Sequence, residues 1–568
     1  MNAGGFARIA LAGLVAALSF HQGAAHALPF TWPVQEIQDP TTLGLEVLNE
    51  KDGVPGTPWT LVEADGVTIR GQYRLYVVRF NGQPSGDPQN PYEKIYALVA
   101  APADAQGAVI EGGSPPALVQ LHGYPQGFPT SAGHVNRFLN RVADIQGWGI
   151  AINAPGHGIL RSSGTAHCAV PGRLAKYGQG GNYAAYVNDP SFELLGVRAD
   201  VCHLVSDFRQ GPPCVETWAR PDRTAAVPEL TYFFTAYAYA AMRAVTIAEW
   251  FGPGGPHQSE VVLEGFSAGA LTTYLVNAVD DRLTSAIAFI AAGDLHTNFS
   301  VEGSGLKNAF VGAAGVWGNE PELLEALSLW DPIHYAPEQK APILMLLGGQ
   351  DYLFPTVTYQ KTFDAIAGVE KRMHVNPTDG HGYDAGLEKS QRKAWYMRHL
   401  MGAFDLPVSP EIKVFWGWEK RWLWSWPVSF VFVHPAQPAG AKLTAYGSST
   451  GNLWGPRNDL WVHFAGITSV KTLPSWPVDS SKGVDGWRFG SMDTHVPHVL
   501  VQAEHALSGP QGPQGETVPF RTSSITWSAR AQSILSLPPD LAACLEHVAC
   551  MTPEKANFCA SAKRLIGP

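Results

Sequence analysis

The pattern of hydrophobic and polar positions divides the chain into a region of alternating strands and helices and a later region of strands alone. From about Val67, the runs Thr68–Phe80 and Ile95–Ala101 predict two antiparallel strands. Short apolar runs then alternate with helical stretches up to residue 404, which is typical of a mostly parallel sheet covered on both faces. Strands are predicted at 117–121, 149–152, 261–263, 286–291, 343–347 and 372–375, and helices at 134–145, 228–251, 268–278 and 387–401.

Three segments depart from this rhythm. Residues 28–66 are rich in Pro, Gly and Asp, and we expect an N-terminal arm that lies over the surface. Residues 159–227 carry three cysteines and little periodicity, which indicates a cap-like insertion within a domain at 67–404. Residues 294–330 are interpreted as a second irregular excursion.

Strand-like alternation dominates after residue 405. We predict a β-sandwich-like domain at 405–537, followed by a helical tail at 538–568. Ring faces on one side of a strand either stack on a sugar or an aromatic polymer or, as the more frequent case, pack one domain against another. The tryptophans that raise this question are Trp416, Trp418, Trp422, Trp424 and Trp426.

Composition narrows the function. A chain of 568 residues exceeds one average domain, and 45% hydrophobic residues are enough for a large core. Charged residues make up 15% without long blocks of one sign, which argues against disorder and against a nucleic-acid surface. The formal net charge of −10 would repel polyanions.

The first 27 residues predict a cleaved signal peptide. Arg8 precedes the apolar run Ile9–Phe20, and Ala25-His26-Ala27 is a small-x-small cleavage signal, so the mature chain is expected to begin near Leu28. The apolar run is too short to cross roughly 30 Å of hydrocarbon, so we expect no stable membrane anchor. The protein is therefore predicted to be secreted or periplasmic.

Export changes the interpretation of the cysteines. None has the CxxC spacing of a zinc site, and an oxidising compartment favours disulfides. The six cysteines form two clusters of three, so full pairing requires at least one bridge between the clusters: Cys168, Cys202, Cys214, Cys544, Cys550 and Cys559. We expect local pairs Cys202–Cys214 and Cys544–Cys559, which leave Cys168 and Cys550 for the long-range bridge.

Ser267 is the predicted nucleophile. Gly265-Phe266-Ser267-Ala268-Gly269 matches G-x-S-x-G, and it lies between an apolar strand and a helix, as a nucleophile elbow requires. The alternative interpretation is a glycine-rich turn before an ordinary helix.

A serine hydroxyl needs a base, and the base needs a carboxylate. His381 lies on a glycine-flanked loop after a strand, whereas its competitor His374 lies within the strand and is expected to be a packed residue. Asp351 follows a strand that ends in a glycine turn, and Ser267, Asp351, His381 is the chain order of α/β-hydrolases. Asp379 is a rival to Asp351, but it is expected to form a turn.

The oxyanion hole requires two backbone donors. One is predicted to be the amide of Ala268, directly after the nucleophile. The other is predicted to be the amide of Tyr124, in the loop His122-Gly123-Tyr124-Pro125 after the first parallel strand. An ordinary strand-ending turn is the alternative for that loop.

The motifs HGYP, NAPGHG, GFSAGA, LLGGQD and DGHG resemble, in order and spacing, the α/β-hydrolase superfamily over about residues 67–404. The resemblance implies an α/β-hydrolase fold in which Ser267, Asp351 and His381 match the catalytic triad. Tyr124 and Ala268 match the oxyanion positions of that superfamily.

The subfamily stays open. HGY together with PGHG resembles acetyl esterases, the cephalosporin C deacetylases and acetyl xylan esterases, while Trp330-Asp331-Pro332 is similar to prolyl-oligopeptidase-like enzymes. Fewer than a hundred mature residues precede His122, which leaves no room for an N-terminal propeller. The insertion and the C-terminal domain do not match compact acetyl esterases. An appended β-domain resembles X-prolyl dipeptidyl-peptidase and cocaine-esterase-like enzymes, whose motifs differ in detail.

The expected function is a serine carboxylic-ester hydrolase that needs no cofactor and no metal, acting on an ester-containing small molecule or polymer. The alternatives are a secreted serine peptidase of the aminopeptidase or dipeptidyl-peptidase type and a non-catalytic binding protein on the same scaffold. An intact triad argues against the binding protein. Because one fold hosts many reactions, the fold alone does not choose among substrates.

Overall fold

The structure is a computed structural model, and its described part begins at Leu28. The described residues are 28–51, 54–63, 65–87, 90–123, 132–155, 158–161, 186–187, 199–202, 227–252, 260–300, 305–306, 320–351, 353–377, 379–421, 424–434, 442–448, 470–472, 485–490, 498–508 and 517–527. The predicted signal peptide, the predicted helical tail and most of the predicted 159–227 insertion lie outside these ranges. No helix within them is long and apolar enough to cross a bilayer.

Helices and strands alternate through the first two thirds of the chain. The α-helices are α1 (Val34–Gln38), α2 (Ala132–Asp144), α3 (Phe233–Trp250), α4 (Ala268–Val279), α5 (Leu295–Ser300), α6 (Glu320–Trp330), α7 (Thr356–Ala365) and α8 (Ala385–His399). The strands up to residue 405 are β1 (Glu46–Val47), β2 (Glu50–Lys51), β3 (Val54–Pro55), β4 (Thr57–Val62), β5 (Ile69–Asp87), β6 (Asn90–Pro102), β7 (Ala117–Leu121), β8 (Trp148–Ile152), β9 (Gly158–Arg161), β10 (Tyr186–Val187), β11 (Ala199–Cys202), β12 (Val261–Phe266), β13 (Ser285–Phe289), β14 (Ile343–Gly348) and β15 (Lys371–Asn376).

The central sheet runs in the order β1-β5-β6-β8-β7-β12-β13-β14-β15, with β4 also paired to β5. From β8 to β15 every pairing is parallel, while β1, β4, β5 and β6 add antiparallel pairings at one end. The chain places β8 on one side of β7 and later places β12 on its other side. Ligands in open α/β sheets bind beyond the carboxyl ends of the strands at such a switch point. The order confirms the predicted α/β-hydrolase fold class.

The parallel strands are buried on both faces, which is why they appear in the sequence as continuous apolar runs. In β12, Val261 and Leu263 point into a core layer shared with α3 and α4. Val262 points the other way, into a layer that also contains side chains of α2 and α8. Successive side chains of a strand alternate between faces, so each strand supplies both layers.

The segment 28–66, predicted as a surface arm, is instead part of the domain that contains the main sheet. Trp32, Ile37 and Leu43 are buried in its core, and β4 pairs with β5 in the main sheet. The guanidinium of the buried Arg243 on α3 donates through its Nη1 to the carbonyls of residues 36, 37 and 39, at 3.0, 3.1 and 2.9 Å. Arg243 lies more than 200 residues after the segment that it holds, so local periodicity could not indicate this contact.

The prediction of a second irregular excursion at 294–330 is wrong, because α5 and α6 lie within this segment. Asp331 directly follows this segment and is buried. Its carboxylate accepts hydrogen bonds from the amides of Leu295 and Ile333 at 2.6 and 3.1 Å. Burial raises the pKa of that carboxyl to about 7. Helices of 6 and 11 residues are too short for a clear period in the sequence.

The C-terminal strands form two antiparallel sheets, in the orders β16-β17-β20 and β19-β18-β21-β22. They are β16 (Glu411–Arg421), β17 (Trp424–His434), β18 (Lys442–Ser448), β19 (Val470–Thr472), β20 (Asp485–Gly490), β21 (His498–Ser508) and β22 (Thr517–Trp527). The β-rich character is as predicted. The tryptophan side chains of 416–426 lie outside the described side chains, so their role stays a prediction.

The C-terminal region covers the free edge of the main sheet at β15. The amide of Met373 donates to Ser409 Oγ at 3.1 Å, and the amide of Val375 donates to Ser523 Oγ at 3.2 Å. Val518 and Phe520 of β22 are buried in the same core layer as Trp395 of α8. An uncovered edge strand is a template for aggregation, so this contact also protects the sheet.

Phe520→Ala is expected to destabilise the protein by about 3–5 kcal/mol, because it removes a fully buried ring and leaves a cavity between β22 and the core layer of the main sheet. Urea unfolding followed by tryptophan fluorescence measures this loss. The exposed Ala506 on β21 provides the control, and Ala506→Ser should change the free energy of unfolding by less than about 0.5 kcal/mol. Equal effects of the two substitutions would contradict the packing described.

Candidate active site

Ser267 occupies a sharp turn between β12 and α4. Its backbone has φ 55° and ψ −113°, a conformation that costs a non-glycine residue about 1–3 kcal/mol. The turn is held by the Ser267 amide, which donates to the Phe289 carbonyl of β13 at 2.9 Å. The Ser267 carbonyl accepts from the amides of Ala270 and Leu271 at 2.8 and 3.1 Å. This geometry directs the side chain away from the sheet toward the loops at its carboxyl edge.

Two glycines let the turn close. A Cβ on Gly265 would lie 2.1 Å from the carbonyl oxygen of Gly269. A Cβ on Gly269 would lie 2.7 Å from the carbonyl oxygen of Leu121 at the end of β7. Real side chains do not approach backbone this closely, so both positions require glycine for space.

The structure brings Ser267, His381 and Asp351 together. Ser267 Oγ lies 2.9 Å from His381 Nε2, and His381 Nδ1 lies 2.8 and 3.0 Å from the two carboxylate oxygens of Asp351. An ionised carboxylate only accepts hydrogen bonds, so Nδ1 carries the proton and Nε2 accepts the serine hydroxyl. The three side chains form one continuous hydrogen-bond chain.

The Asp351 carboxylate is fixed by its own turn. Its Oδ1 accepts the amides of Leu353 and Phe354 at 2.8 and 3.2 Å, and its Oδ2 accepts the hydroxyl of Tyr359 at 3.2 Å. Burial, followed by the negative charge of Asp351, raises the pKa of the Tyr359 hydroxyl well above its usual value. Tyr359 therefore stays neutral and donates. No sequence motif marks Tyr359. Its position one helical turn into α7 is the feature that identifies it.

The two rivals named from the sequence lie elsewhere. The Asp379 carboxylate accepts from Asn376 Nδ2 at 2.7 Å and from the Asp384 amide at 2.6 Å, so it shapes the loop around His381. His374 is fully buried within β15, and burial lowers its pKa to about 3. It is a neutral packed residue with hydrogen-bond partners on both ring nitrogens.

The loops that carry Asp351 and His381 are joined by backbone hydrogen bonds. The amide of Gln350 donates to the Asp379 carbonyl at 2.8 Å, and that of Gly349 donates to the Asn376 carbonyl at 2.7 Å. A Cβ on Gly348 would lie 2.0 Å from the Gly380 carbonyl oxygen. The glycines of the LLGGQD turn thus allow a close approach that aligns the carboxylate with the imidazole.

Of the two predicted oxyanion donors, Tyr124 lies outside the described residues. Ala268 is the first residue of α4, so its amide has no acceptor within the helix. The positive end of the helix dipole adds to the attraction of an anion there.

His122, the first residue of the predicted oxyanion loop, is held by two other parts of the fold. The His122 amide donates to Tyr237 Oη on α3 at 2.9 Å. His122 Nε2 accepts the amide of Ala154 at 2.9 Å, and Nδ1 lies 2.8 Å from the Gly123 carbonyl. These contacts fix the loops after β7 and β8 to each other, a role that sequence analysis did not assign to His122 or Tyr237.

A buried ionic cluster lies beneath the turn. Glu264 of β12 is fully buried and accepts from Arg141 Nη1 of α2 at 3.2 Å and from the Tyr396 hydroxyl of α8. Burial raises the pKa of the Glu264 carboxyl, and the positive charge of Arg141 opposes that shift. Arg141 also pairs with Glu388 of α8. The strand that carries Ser267 is therefore tied to the helix after the His122 loop and to the helix after the His381 loop.

Within the described residues, no group of three or more His, Cys, Asp or Glu side chains is arranged to hold a metal ion. The predicted disulfides lie outside the described side chains.

No family model matches the sequence, and no curated protein does so either. The solved structures similar to this chain include the acetyl xylan esterase from Paenibacillus sp. R4, with 16% identity and a TM-score of 0.41 over 64% of this chain and 92% of that one. Acetyl Xylan Esterase 1 from Thermoanaerobacterium sp. JW/SL YS485 is 14% identical, with a TM-score of 0.37 over 66% of this chain and 99% of that one. A puromycin-hydrolyzing peptidase of Mycobacterium tuberculosis is 15% identical, with a TM-score of 0.34 over 63% of this chain and 55% of that one. At these values the assignment of the fold and the site rests on the strand order and the side-chain geometry.

Gly265→Ala is expected to destabilise the protein by about 1–3 kcal/mol or more and to slow the reaction of Ser267 with a fluorophosphonate probe, because the new methyl group forces the turn open. Thermal unfolding and the rate of probe labelling measure the two effects. Gly133→Ala in α2 is the matched control, since nothing lies within 4 Å of its Cβ position. Wild-type labelling of Gly265→Ala would contradict the close approach.

Proposed function

We propose that this protein is an exported serine hydrolase that cleaves carboxylic esters through an acyl-enzyme on Ser267. The observation that carries the proposal is the chain from Ser267 Oγ through His381 to Asp351, with heavy-atom distances of 2.9 and 2.8 Å. A serine hydroxyl is activated as a nucleophile when an oriented base accepts its proton and a carboxylate stabilises the base.

In the first half-reaction, Ser267 Oγ bonds to the ester carbonyl carbon while His381 Nε2 takes its proton. The carbonyl electrons move to the oxygen, and the amides of Ala268 and Tyr124 are proposed to donate to that oxyanion. When the tetrahedral intermediate collapses, the ester bond to the alcohol breaks. The alkoxide leaves with the proton from His381, and the acyl group stays on Ser267.

In the second half-reaction, His381 accepts a proton from water, and the resulting hydroxide attacks the acyl-enzyme. The carbonyl re-forms, Ser267 regains its proton from His381, and the carboxylic acid leaves. The Asp351 carboxylate stabilises the imidazolium in both halves. Two backbone amides and Tyr359 already donate to this carboxylate, so it needs no reorganisation during the reaction.

The carboxylates beside the triad bear on the choice between an ester and a peptide. A peptidase that trims short peptides needs a carboxylate to hold the substrate amine. Three acidic side chains near His381 are described, and each accepts hydrogen bonds: Asp351 from the imidazole, Asp379 from Asn376 and the Asp384 amide, and Asp384 from the Leu387 amide. The proposed substrate is a neutral ester, and a comparison of ester and anilide hydrolysis distinguishes it from an amino-terminal peptide.

Ser267→Ala is expected to lower kcat for p-nitrophenyl esters by about 10⁴- to 10⁶-fold, because the acyl-enzyme cannot form. Hydrolysis of esters of increasing chain length, measured beside aminoacyl and dipeptidyl anilides, checks this. Anilide turnover without ester turnover would identify the serine peptidase instead. Rates that are the same in wild type and variant would refute the assignment of Ser267 and favour a binding protein.

Asp351→Asn is expected to lower kcat by about 10⁴-fold, because an amide next to Nδ1 stabilises the wrong imidazole tautomer. The matched control is Asp379→Asn, which changes the rival carboxylate on the same loop system and should lower kcat far less. Steady-state kinetics of both variants with one ester decide between the two carboxylates. A larger effect at Asp379 would reverse the assignment.

Export is part of the proposal, on the basis of the predicted signal peptide at 1–27. The full-length chain expressed in a bacterium is expected in the periplasm or the medium, with a mature N-terminus near Leu28. Fractionation and N-terminal sequencing measure this, and a variant lacking residues 2–27 is the control that should stay in the cytoplasm. An uncleaved chain in the cytoplasm would contradict the proposal.

A further inference from the structure

A buried hydrogen-bond chain connects the C-terminal sheet to the loop that carries His381. Gln502 Nε2 of β21 lies 2.6 Å from His374 Nε2 of β15, and Gln502 also donates to the Val375 carbonyl at 3.4 Å. The other ring nitrogen of His374, Nδ1, is hydrogen-bonded to the Tyr383 hydroxyl. Gln502 is 5% exposed and His374 is not exposed, so the contact between these two side chains is shielded from water.

The chain has a defined direction. The Gln502 amide nitrogen can only donate, so His374 Nε2 is its unprotonated acceptor. The proton of the neutral imidazole then lies on Nδ1, which donates to the Tyr383 oxygen. His374 is thus held in one tautomer by a residue of the C-terminal sheet, and it presents a donor to Tyr383 only in that tautomer.

Tyr383 follows His381 by two residues, so the hydroxyl of Tyr383 is an anchor of the catalytic loop. The N-terminal side of that loop is held by Asp379, whose carbonyl accepts from the Gln350 amide at 2.8 Å. Tyr383 holds the other side and also packs against the core layer that contains Phe520 of β22. The two anchors flank His381, and the second one depends on the C-terminal region.

We propose that Gln502 is a positioning residue for His381 and acts through His374 and Tyr383. The C-terminal sheet is then a working part of the active site rather than only an appended binding module. This inference rests on the proposed role of His381 as the base of the acyl-transfer reaction. A displacement of about 1 Å in a catalytic group can cost roughly 10²-fold in rate, so a loose loop should lower kcat while ground-state binding survives.

The test compares Gln502→Leu and Tyr383→Phe with a control, Gln391→Leu. Gln391 on α8 also bridges the two regions, because its Oε1 accepts the Arg521 amide of β22 at 3.1 Å, but it makes no described contact with the His381 loop. Gln502→Leu and Tyr383→Phe are each expected to lower kcat for a p-nitrophenyl ester about 10-fold with KM changed less than about twofold. The double variant should lose no more than the more severe single variant, because both substitutions break one chain.

The control separates positioning from stability. Gln391→Leu is expected to lower the melting temperature as much as Gln502→Leu while leaving kcat within about twofold of wild type. A parallel loss of kcat in Gln391→Leu would overturn the proposal, as would kcat values of Tyr383→Phe and Gln502→Leu equal to wild type. Tyr383→Phe keeps the ring and removes one oxygen, so it answers the question even if Gln502→Leu does not fold.

A second measurement does not depend on turnover. The low-field proton resonance of His381 Nδ1–H, assigned by its loss in Asp351→Ala, should shift or broaden in Gln502→Leu and Tyr383→Phe but not in Gln391→Leu. If that resonance responds while wild type shows no Ser267-dependent hydrolysis of any ester or anilide, the positioning chain stands and the proposed function fails. An unchanged resonance together with Ser267-dependent hydrolysis would overturn the positioning role and leave the proposed function intact.

Discussion

The backbone of Ser267 is the constraint on which the rest of the site depends. A serine at φ 55° is unfavourable by itself, so the surrounding structure must impose that conformation. Hydrogen bonds to β13 and to the first turn of α4 hold the Ser267 backbone in this conformation. Gly265 and Gly269 let the start of α4 lie close to β12 and β7. In return, the hydroxyl stands clear of the sheet at the amino end of a helix, where a developing negative charge is stabilised.

The parallel strands provide the convergence that this turn requires. Because β7, β12, β14 and β15 run in the same direction, the loops at their carboxyl ends meet at one edge of the sheet. Alignment to about 3 Å then needs direct bonds between loops, which Gln350 and Gly349 make to the His381 loop. Beneath the turn, the buried carboxylate of Glu264 joins β12 to Arg141 of α2 and to Tyr396 of α8. Breaking one partner of such a cluster leaves an uncompensated charge, so the arrangement resists sliding of these elements.

Features with a local signal were predictable from the sequence. Ser267 and Asp351 each follow an apolar strand and a glycine, and His381 lies on a glycine-flanked loop after a strand. The strands of the parallel sheet could be assigned because both of their faces are buried. Features that join distant segments were not predictable. Arg243 fixes the N-terminal segment more than 200 residues away, and Gln502 reaches His374 across 128 residues. A buried arginine or glutamine has no periodicity of its own, and its partners are backbone atoms or side chains that only the folded chain brings near.

The edge of the sheet explains why the C-terminal region and the catalytic loop are coupled. β15 ends the parallel sheet, so its outward amides need acceptors. Another strand would have satisfied them with a ladder of backbone carbonyls. Here Ser409 and Ser523 accept them through side chains, and Gln502 bonds the His374 ring between them. Side-chain acceptors exist at single positions, so they fix the C-terminal sheet in one register against β15. The strand that is covered in this way leads directly into the His381 loop, and the position of the cover is therefore transmitted to the imidazole.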